Sequence, residues 1–265
     1  MAPAAAPLKI RVSGTRTSVT AGGPTGTQGM EATDLSRYHE RTRTKGVNKP
    51  LFWATRAVVG VAIQFYFSLE RTGRKNIPKK GPVILAANHR SFLDPFIVGC
   101  CMRRPVYFVA KKELFEKRWQ GGLLNRLGAF PIRRGESDEE SMATARGVLE
   151  RGGALVIFPE GTRMRRGPLG RPKRGVGRLA LETAAPVVPI AILGSDRARR
   201  GFKIRPVWVR VRCGRPLTFP RVENPSPRLA EEVTARLWPC VELQWNWLGG
   251  DQLEPVESVQ EREAA

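Results

Sequence analysis

The chain has 265 residues, of which 41% are hydrophobic, with 27 Gly, 21 Pro and four Cys. This length suits one domain of about 200 residues with tails, and the composition excludes a disordered acidic chain, a collagen and a disulfide scaffold. The 45 basic residues outnumber the 24 acidic ones by 21. Such a charge requires an anionic counterpart, which is nucleic acid, anionic membrane lipid or a phosphorylated substrate.

The N-terminal region divides into two segments. Residues 1–45 are rich in Gly, Ala, Thr and Pro and are predicted to form a disordered, mildly basic arm without a signal peptide. Residues 46–80 are predicted to form an amphipathic membrane-docking segment. Its apolar stretch, residues 51–69, is interrupted by Arg56 and Gln64, which favours a helix lying in the membrane plane or inserted shallowly. A bilayer span and a helix packed on the domain are the alternatives.

Basic residues follow this stretch and suit an anionic surface; they are Arg71, Arg74, Lys75, Lys79 and Lys80. Basic and acidic residues are also unevenly distributed farther along the chain. Residues 163–215 hold 15 basic residues and two acids, whereas residues 251–265 hold five acids and one Arg. The former are predicted to form one basic face, and the latter an acidic disordered tail.

Beyond Pro82 the chain alternates between strand and helix patterns. Strands are predicted at residues 83–87, 106–110, 129–132, 154–158, 187–193 and 207–211. Helices are predicted at residues 94–101, 136–151, 176–183 and 227–237, with a basic amphipathic stretch over residues 111–127. This alternation predicts a three-layer α/β domain over residues 81–250, with helices on both faces of the sheet.

The cysteines show no metal-binding or disulfide pattern. Cys100, Cys101, Cys213 and Cys240 lack CxxC spacing and are predicted to be small hydrophobic residues in a reducing compartment, mostly buried. Only two histidines occur, and no Cys/His cluster accompanies them. No metal site is therefore predicted.

The strongest local signal is the segment NHRSFLD, residues 88–94, where the first predicted strand ends. Open α/β sheets place ligands at such ends. His89 is the one histidine of the predicted folded region, because His39 falls in the arm. An imidazole accepts a proton near pH 7, and Asp94 is close enough in sequence to orient it. The alternative is a satisfied loop histidine, with Asp94 as a helix N-cap.

Two further motifs follow strand ends. FPEGTR, residues 158–163, offers the Glu160 carboxylate, a glycine, a hydroxyl and the Arg163 guanidinium, which suits a phosphate. An ordinary turn with a solvated charge is the alternative. Residues 128–135 present Arg133 and Arg134 beside glycine, which suits a phosphate or is simply a basic strand end.

Together and in this order, these motifs resemble the sequence blocks of the 1-acylglycerol-3-phosphate acyltransferase (lysophosphatidate acyltransferase) family of glycerolipid acyltransferases. Residues 88–94 match the NHxxxxD block, residues 128–134 the second block, residues 158–163 the FPEGTR block and residues 188–190 the last block. Pro131 departs from the second block, which usually carries an aromatic or aliphatic residue there. The similarity covers roughly residues 50–245.

The resemblance implies acyl transfer from acyl-CoA or acyl-carrier protein to the free hydroxyl of a lysophospholipid, with 1-acyl-sn-glycerol 3-phosphate giving phosphatidate. It places His89 as the base and Asp94 as the residue that orients it. The implied substrate-binding residues are Asn88, Arg133, Arg134, Glu160, Gly161, Thr162 and Arg163. Neither a metal nor a bound cofactor is implied.

The implied substrates lie in a bilayer, so the site is expected to face an anionic membrane, on the cytoplasmic side of the plasma membrane. Lys173, Arg174 and Arg178 are expected either to face headgroups or CoA phosphates or to be solvated helix charges. Another lysolipid or glycerol 3-phosphate is an alternative acceptor, and a noncatalytic lipid-binding module is an alternative function. Nucleic-acid binding is not favoured, because no helix-turn-helix, zinc-finger or RNP-like pattern is present.

Overall fold

The computed structural model describes residues 28–133, 138–200 and 203–250. The helices in these ranges are α1 (Gln28–Thr44), α2 (Lys49–Tyr66), α3 (Asp94–Cys101), α4 (Arg118–Arg126), α5 (Glu139–Glu150), α6 (Gly175–Thr183) and α7 (Pro227–Trp247). The strands are β1 (Glu70–Thr72), β2 (Val83–Ala87), β3 (Tyr107–Lys111), β4 (Ala129–Ile132), β5 (Ala154–Ile157), β6 (Val187–Leu193), β7 (Arg199–Arg200), β8 (Lys203–Ile204) and β9 (Arg210–Cys213).

Seven of the strands form one mixed sheet in the order β1-β9-β6-β2-β5-β3-β4. The neighbours β6-β2-β5-β3-β4 are parallel, and β9 runs antiparallel to β6. The central strand β2 is buried along its whole length, which explains its continuous apolar run, since a strand covered on both faces needs no polar alternation. Its carboxyl end lies between those of β5 and the parallel part of β6.

Helices cover both faces of the sheet. The side chains of Val83, Leu85 and Ala87 pack in one apolar core with α2 and α3. The alternate residues Ile84 and Ala86 pack in a second core with α5, α6 and α7. Two cores separated by one sheet are the predicted three-layer α/β architecture, which is confirmed.

The prediction of a disordered arm is wrong for residues 28–44, which form α1. Tyr38 and His39 are buried, and Tyr38 packs against Phe115 with ring centroids 4.9 Å apart. Asn125 ties α1 to α4, since its Nδ2 donates to Tyr38 O at 3.1 Å and to Thr42 Oγ1 at 2.8 Å. The rest of the predicted arm, residues 1–27, and the predicted acidic tail lie outside the described residues.

The apolar segment predicted at residues 51–69 forms most of α2. Phe52 and Ile63 are buried against the domain, whereas Val58, Val61 and Phe65 point outward, with Phe65 80% exposed. The helix is therefore packed on the domain along one face and presents an apolar second face. In the described part of the chain, no helix has the length and apolar character needed to cross a membrane.

Three arginines near α2 bind the carboxyl end of α3. Arg56 donates to Gly99 O, Cys100 O and Met102 O. Arg71 donates to Cys100 O, and Arg74 donates to Cys101 O at 2.9 Å. Because the last carbonyls of a helix are unpaired and carry partial negative charge, cations stabilise that end. The prediction that Arg71 and Arg74 face an anionic surface is thus wrong, whereas Lys75, Lys79 and Lys80 are exposed.

Several predicted boundaries differ from the observed ones. The stretch at residues 111–127 divides into a 3-10 turn, Lys112–Phe115, and α4. The last predicted strand begins three residues later than expected, as β9. Helix α7 continues to Trp247 through Pro239, because buried Trp238, Val241 and Trp245 keep its apolar face packed.

Candidate active site

The site residues lie just beyond the ends of three neighbouring strands. Residues 88–94 follow β2, residues 158–163 follow β5, and Ser195 lies two residues beyond β6. Because β2 pairs in parallel with both β5 and β6, their carboxyl ends lie at one edge of the sheet. The topology therefore brings two predicted motifs together with a residue that the sequence did not single out.

The Asp94 carboxylate is fully buried and is the hub of this edge. Its Oδ2 accepts hydrogen bonds from His89 Nδ1 at 2.8 Å, from Arg90 N at 2.6 Å and from Ser91 N at 2.7 Å. Its Oδ1 accepts one from Ser195 Oγ at 2.6 Å. Four donors hold the carboxylate in one orientation and compensate for its burial. Asp94 is thus a partner of His89 and not merely the first residue of α3.

His89 is held both at its ring and at its backbone. It stacks on Phe158 with centroids 4.1 Å apart and planes 21° apart. Its backbone N donates to Glu160 Oε2 at 2.6 Å, and its carbonyl accepts from Met164 N at 2.8 Å. With Nδ1 facing a carboxylate, the neutral tautomer carries its proton there and leaves a lone pair on Nε2. Within the described residues, Nε2 has no hydrogen-bond partner, so it is available as a proton acceptor.

Both carboxylate oxygens of Glu160 accept hydrogen bonds from the backbone. One oxygen accepts from His89 N, and the other accepts from Gly170 N at 2.8 Å. The side chain is buried, and this burial raises the pKa of Glu160 against the opposing effect of its two backbone donors. Each oxygen thus accepts one backbone N–H, and the predicted role of Glu160 in substrate binding stays a prediction.

Asn88 is likewise structural. Its Nδ2 donates to Ile192 O at 3.1 Å, and its Oδ1 accepts from Ile192 N at 2.7 Å. The side chain is fully buried and extends the pairing of β2 with β6 by one residue. It was predicted to bind substrate, but it fixes the backbone from which His89 projects.

The next residues of the FPEGTR motif are displayed at the surface. Gly161 has φ +70°, a left-handed conformation that favours glycine, and the Lys173 side chain lies against it. Thr162 and Arg163 are exposed. In the part of the chain that the structure describes, the Arg163 guanidinium forms no ion pair or hydrogen bond, and it is free to bind an anion.

The second motif lies away from His89. Arg133 follows β4, an edge strand that β5 and β3 separate from β2. It is half-buried, and its backbone N donates to Asp138 Oδ2 at 2.7 Å. Arg134 lies outside the described residues. The departure from the family pattern, Pro131, sits within β4 and accepts from Ser141 Oγ at 2.7 Å through its carbonyl.

The three basic residues near α6 divide into two kinds. Arg178 forms ion pairs with Glu139 at 2.6 Å and with Glu182 at 2.8 Å, and these pairs raise its pKa. It therefore joins α6 to α5 and is not a headgroup ligand. Lys173 lies against Gly161, two positions before Arg163 in the sequence, while Arg174 precedes the first residue of α6.

Two buried residues of this edge escaped the sequence analysis. Ser195 binds Asp94, and Arg90 donates to Met164 O at 2.8 Å and to Gly167 O at 2.7 Å. Arg90 lies inside the matched segment, whereas Ser195 is about a hundred residues away. The available signal was the placement of Ser195 directly after a predicted strand and a glycine.

No metal centre accompanies this arrangement: the residues described here contain no group of three or more His, Cys, Asp or Glu side chains placed to hold an ion. Cys100, Cys101 and Cys213 are buried, and Cys240 is half-buried. A hydrogen bond with Cys213, together with burial, raises the pKa of Cys101, so the three buried thiols are packed as hydrophobic residues.

Comparison with known proteins now decides the family. The Acyltransferase family model matches residues 68–193. A 1-acyl-sn-glycerol-3-phosphate acyltransferase of Pseudomonas aeruginosa is 30% identical over 188 residues, which cover 69% of both chains. The chain belongs to the 1-acyl-sn-glycerol-3-phosphate acyltransferase family. The matched region contains the segments that hold His89, Asp94 and Arg163.

Other relatives agree over a shorter length. A protein of the same name from Bacillus subtilis is 33% identical over 132 residues, covering 49% of this chain and 65% of its own. A chloroplastic one from Brassica napus is 28% identical over 140 residues, or 40% of its length. The chain thus matches less than two thirds of these two relatives.

A solved structure shares the fold. The 1-acyl-sn-glycerophosphate acyltransferase PlsC from Thermotoga maritima superposes with a TM-score of 0.59 at 22% identity, over 81% of this chain and 88% of that one. This similarity supports the layered α/β architecture described above.

Proposed function

We propose that the chain transfers a fatty acyl group from acyl-CoA or acyl-carrier protein to the free hydroxyl of 1-acyl-sn-glycerol 3-phosphate, giving phosphatidate. The observation that carries this proposal is the 2.8 Å contact between His89 Nδ1 and Asp94 Oδ2, with Nε2 left available. The Acyltransferase family model matches residues 68–193, which include both residues of this contact, and relatives named for this reaction are 30% and 33% identical to the chain.

The proposed chemistry needs a base and no nucleophile from the protein. His89 Nε2 takes the proton of the acceptor hydroxyl as its oxygen attacks the thioester carbonyl. Asp94 stabilises the resulting imidazolium and keeps the ring in place. The tetrahedral intermediate then expels the thiolate, which recovers the proton from His89 to leave as the free thiol. The acceptor ester and the thiol are the two products, and no cofactor takes part.

Arg163 is the proposed ligand of the acceptor phosphate. It is exposed and lies on the loop that is bonded to the His89 backbone, so a phosphate bound there holds the acceptor close to the base. A guanidinium binds two phosphate oxygens at once. Such orientation lowers the barrier by converting a two-body encounter into a step within one complex.

An apolar groove in the domain suits an acyl chain. It lies between α2, α3 and β3, where Phe52, Val59, Phe96 and Phe108 contribute to its wall. Pro95 and Phe96 follow Asp94 directly in α3, so one helix contributes both to the groove and to the His89 pair. Such an apolar lining is typical of ligand sites.

The outward face of α2 and the lysines that follow it support a membrane-docking role for this helix. Its outward face carries Val58, Val61 and Phe65, and exposed Lys75, Lys79 and Lys80 follow it. An apolar face flanked by cations is typical of helices that lie at an anionic bilayer surface. We place this surface at the cytoplasmic face of the plasma membrane, where the lysolipid acceptor enters the site from the bilayer.

The function is tested by following thiol release from oleoyl-CoA in mixed micelles with 1-acyl-sn-glycerol 3-phosphate, and by detecting phosphatidate. Release that requires both substrates is expected, with glycerol 3-phosphate and other lysophospholipids as weaker acceptors. The same assay is repeated with oleoyl-acyl-carrier protein. A protein that binds anionic vesicles yet releases no thiol with either donor and any acceptor would support the noncatalytic lipid-binding alternative.

Docking is tested separately with Phe65→Ser. Burying one large apolar side chain contributes about 1.5–3 kcal/mol of free energy. Its loss is therefore expected to weaken binding to anionic vesicles at least about tenfold. The matched control is Leu243→Ser, because Leu243 is also exposed but lies on α7. Equal loss of vesicle binding in both variants would contradict docking through α2.

A further inference from the structure

The loop between β5 and α6 is irregular, and its backbone is tied to the segment that follows β2. Met164 N donates to His89 O at 2.8 Å. Arg90 Nη1 donates to Met164 O at 2.8 Å, and Nη2 donates to Gly167 O at 2.7 Å. Both backbone polar groups of Met164 are thus held by residues adjacent in sequence. Because Met164 directly follows Arg163, these bonds fix the backbone beside the exposed guanidinium.

Helix α7 holds Arg90 from the opposite side. The guanidinium carbon of Arg90 lies 4.4 Å from the centroid of the Trp245 ring, and both side chains are buried. Trp245 packs in a cluster with Leu193 of β6, and the loop residue Leu169 packs against this cluster. A Cβ at Gly250 would overlap the indole, so the chain also closes tightly over it.

The chemistry of this position favours arginine. A planar guanidinium can donate to two carbonyl groups at its edge while its face lies on an aromatic ring. A lysine carries the same charge at a single point and cannot do both. Burial is tolerated because the cation is surrounded by Asp94, Glu160 and Asp196, whose charges oppose the effect of burial on its pKa.

We infer that Arg90 and Trp245 are positioning residues that fix the loop carrying Arg163 relative to His89. Neither is placed to touch a reacting atom. The Arg90 guanidinium donates its hydrogen bonds to loop carbonyls, and the Trp245 ring packs against the face of that guanidinium. The catalytic consequence rests on the proposed function, because it concerns acceptor binding through Arg163. When the two hydrogen bonds from the Arg90 guanidinium are lost, the distance between Arg163 and the base is no longer fixed. The acceptor is then bound less tightly, while the rate of the chemical step changes less.

Steady-state kinetics of Arg90→Lys and Trp245→Leu test the inference. A displaced loop is expected to raise the acceptor KM by about tenfold to a hundredfold, while kcat and the donor KM change by less than about threefold. Trp245→Phe keeps an aromatic face and is expected to recover most of the acceptor affinity. The matched control is Arg104→Lys, since Arg104 also donates to a backbone carbonyl, Gly152 O at 3.0 Å, but outside this edge.

Combining the changes with Arg163→Ala separates positioning from general damage. If Arg90 acts through Arg163, Arg90→Lys adds less than about twofold to the acceptor KM in the Arg163→Ala background. An equal fold-change in both backgrounds would overturn the inference, because Arg90 would then act on the fold and not on the position of Arg163.

Hydrogen exchange read by mass spectrometry tests the contacts without any assay of activity. Arg90→Lys is expected to speed amide exchange in residues 159–174 while leaving the β2 and β6 peptides protected. Unchanged exchange in this loop would overturn the inference. Faster exchange in a protein that acylates none of the acceptors would preserve the positioning role and refute the proposed function instead.

Discussion

Two histidines are buried in this chain, and their neighbours differ. His89 ends the central strand with Nδ1 2.8 Å from the Asp94 carboxylate. His39 lies in α1 with Nδ1 3.0 Å from the Thr144 hydroxyl and with its ring against Phe130. A carboxylate stabilises a protonated imidazole, whereas a hydroxyl does so far less. The comparison teaches that the partner of a histidine, more than its burial, decides whether it serves as a base or as a core residue.

The environment of His39 confirms this difference. Burial lowers the pKa of His39, and the charges of Glu140 and Asp138 only partly oppose that effect. The ring is therefore held neutral near physiological pH and contributes packing and one hydrogen bond. The expectation that His89 is the one histidine of the folded region is wrong, because α1 brings His39 into the domain.

The largest effect is expected from removing the carboxylate that distinguishes the two histidines. Asp94→Asn leaves His89 without a charged partner and places an amide where three N–H groups donate. We expect kcat for acyl transfer to fall by roughly 10²–10⁴-fold. Acceptor-dependent thiol release measures it, with circular dichroism to show that the variant is folded. A folded Asp94→Asn protein with the kcat of the parent would contradict the claim that the carboxylate makes His89 a base.

A smaller effect is expected from the residue behind the carboxylate. Ser195→Ala removes the 2.6 Å hydrogen bond to Asp94 Oδ1 and leaves the other three donors in place. A hydrogen bond to a charged group contributes about 1.5–3 kcal/mol, and only part of this bears on catalysis. We expect kcat to fall about tenfold. Ser195→Thr, which keeps a hydroxyl, is the control; equal losses in both variants would assign the effect to packing.

The other histidine is expected to affect stability and not rate. His39→Gln disturbs the contact with Thr144 and the packing on Phe130, and such core changes cost about 2 kcal/mol. Denaturant unfolding measures this cost. Activity per folded molecule is expected to stay within about twofold of the parent. A large loss of specific activity would show that α1 takes part in the reaction.

The smallest effect concerns pH. Because the pKa of His39 is lowered below 6.5 in the folded state, the unfolded chain binds more protons than the folded one below that value. The stability that neutral His39 allows is therefore complete above pH 6.5 and is lost as pH falls toward its folded pKa. The expected loss is at most about 1.4 kcal/mol per pH unit. The free energy of unfolding is measured between pH 7 and pH 5 for the parent and for His39→Gln. It should depend less on pH in the variant, and an identical pH dependence would contradict this assignment.

The fold and the core of the site were predictable because their signals are local. Buried parallel strands such as β2 and β6 are short apolar runs bounded by turn residues. His89 and Asp94 are separated by only five positions, so one turn brings them together. The end of a parallel strand then indicated where a ligand is expected to bind.

The features that sequence analysis missed depend on distant contacts. Helix α1 is polar and is held by Asn125 and by Arg151, which donates to Thr42 O, so no apolar periodicity reveals it. Arg56 interrupts an apolar run, yet its task is to bind the carboxyl end of α3. Ser195 meets Asp94 across about a hundred residues. None of these partners follows from local composition.

One experiment tests the central claim most directly: acceptor-dependent thiol release from oleoyl-CoA, measured for the parent, His89→Ala and His39→Gln under the same conditions and per folded molecule. The account predicts that His89→Ala loses roughly 10²–10⁴-fold in rate, while His39→Gln stays within about twofold. Full activity in His89→Ala, or equal losses in the two variants, would contradict the assignment of His89 as the base.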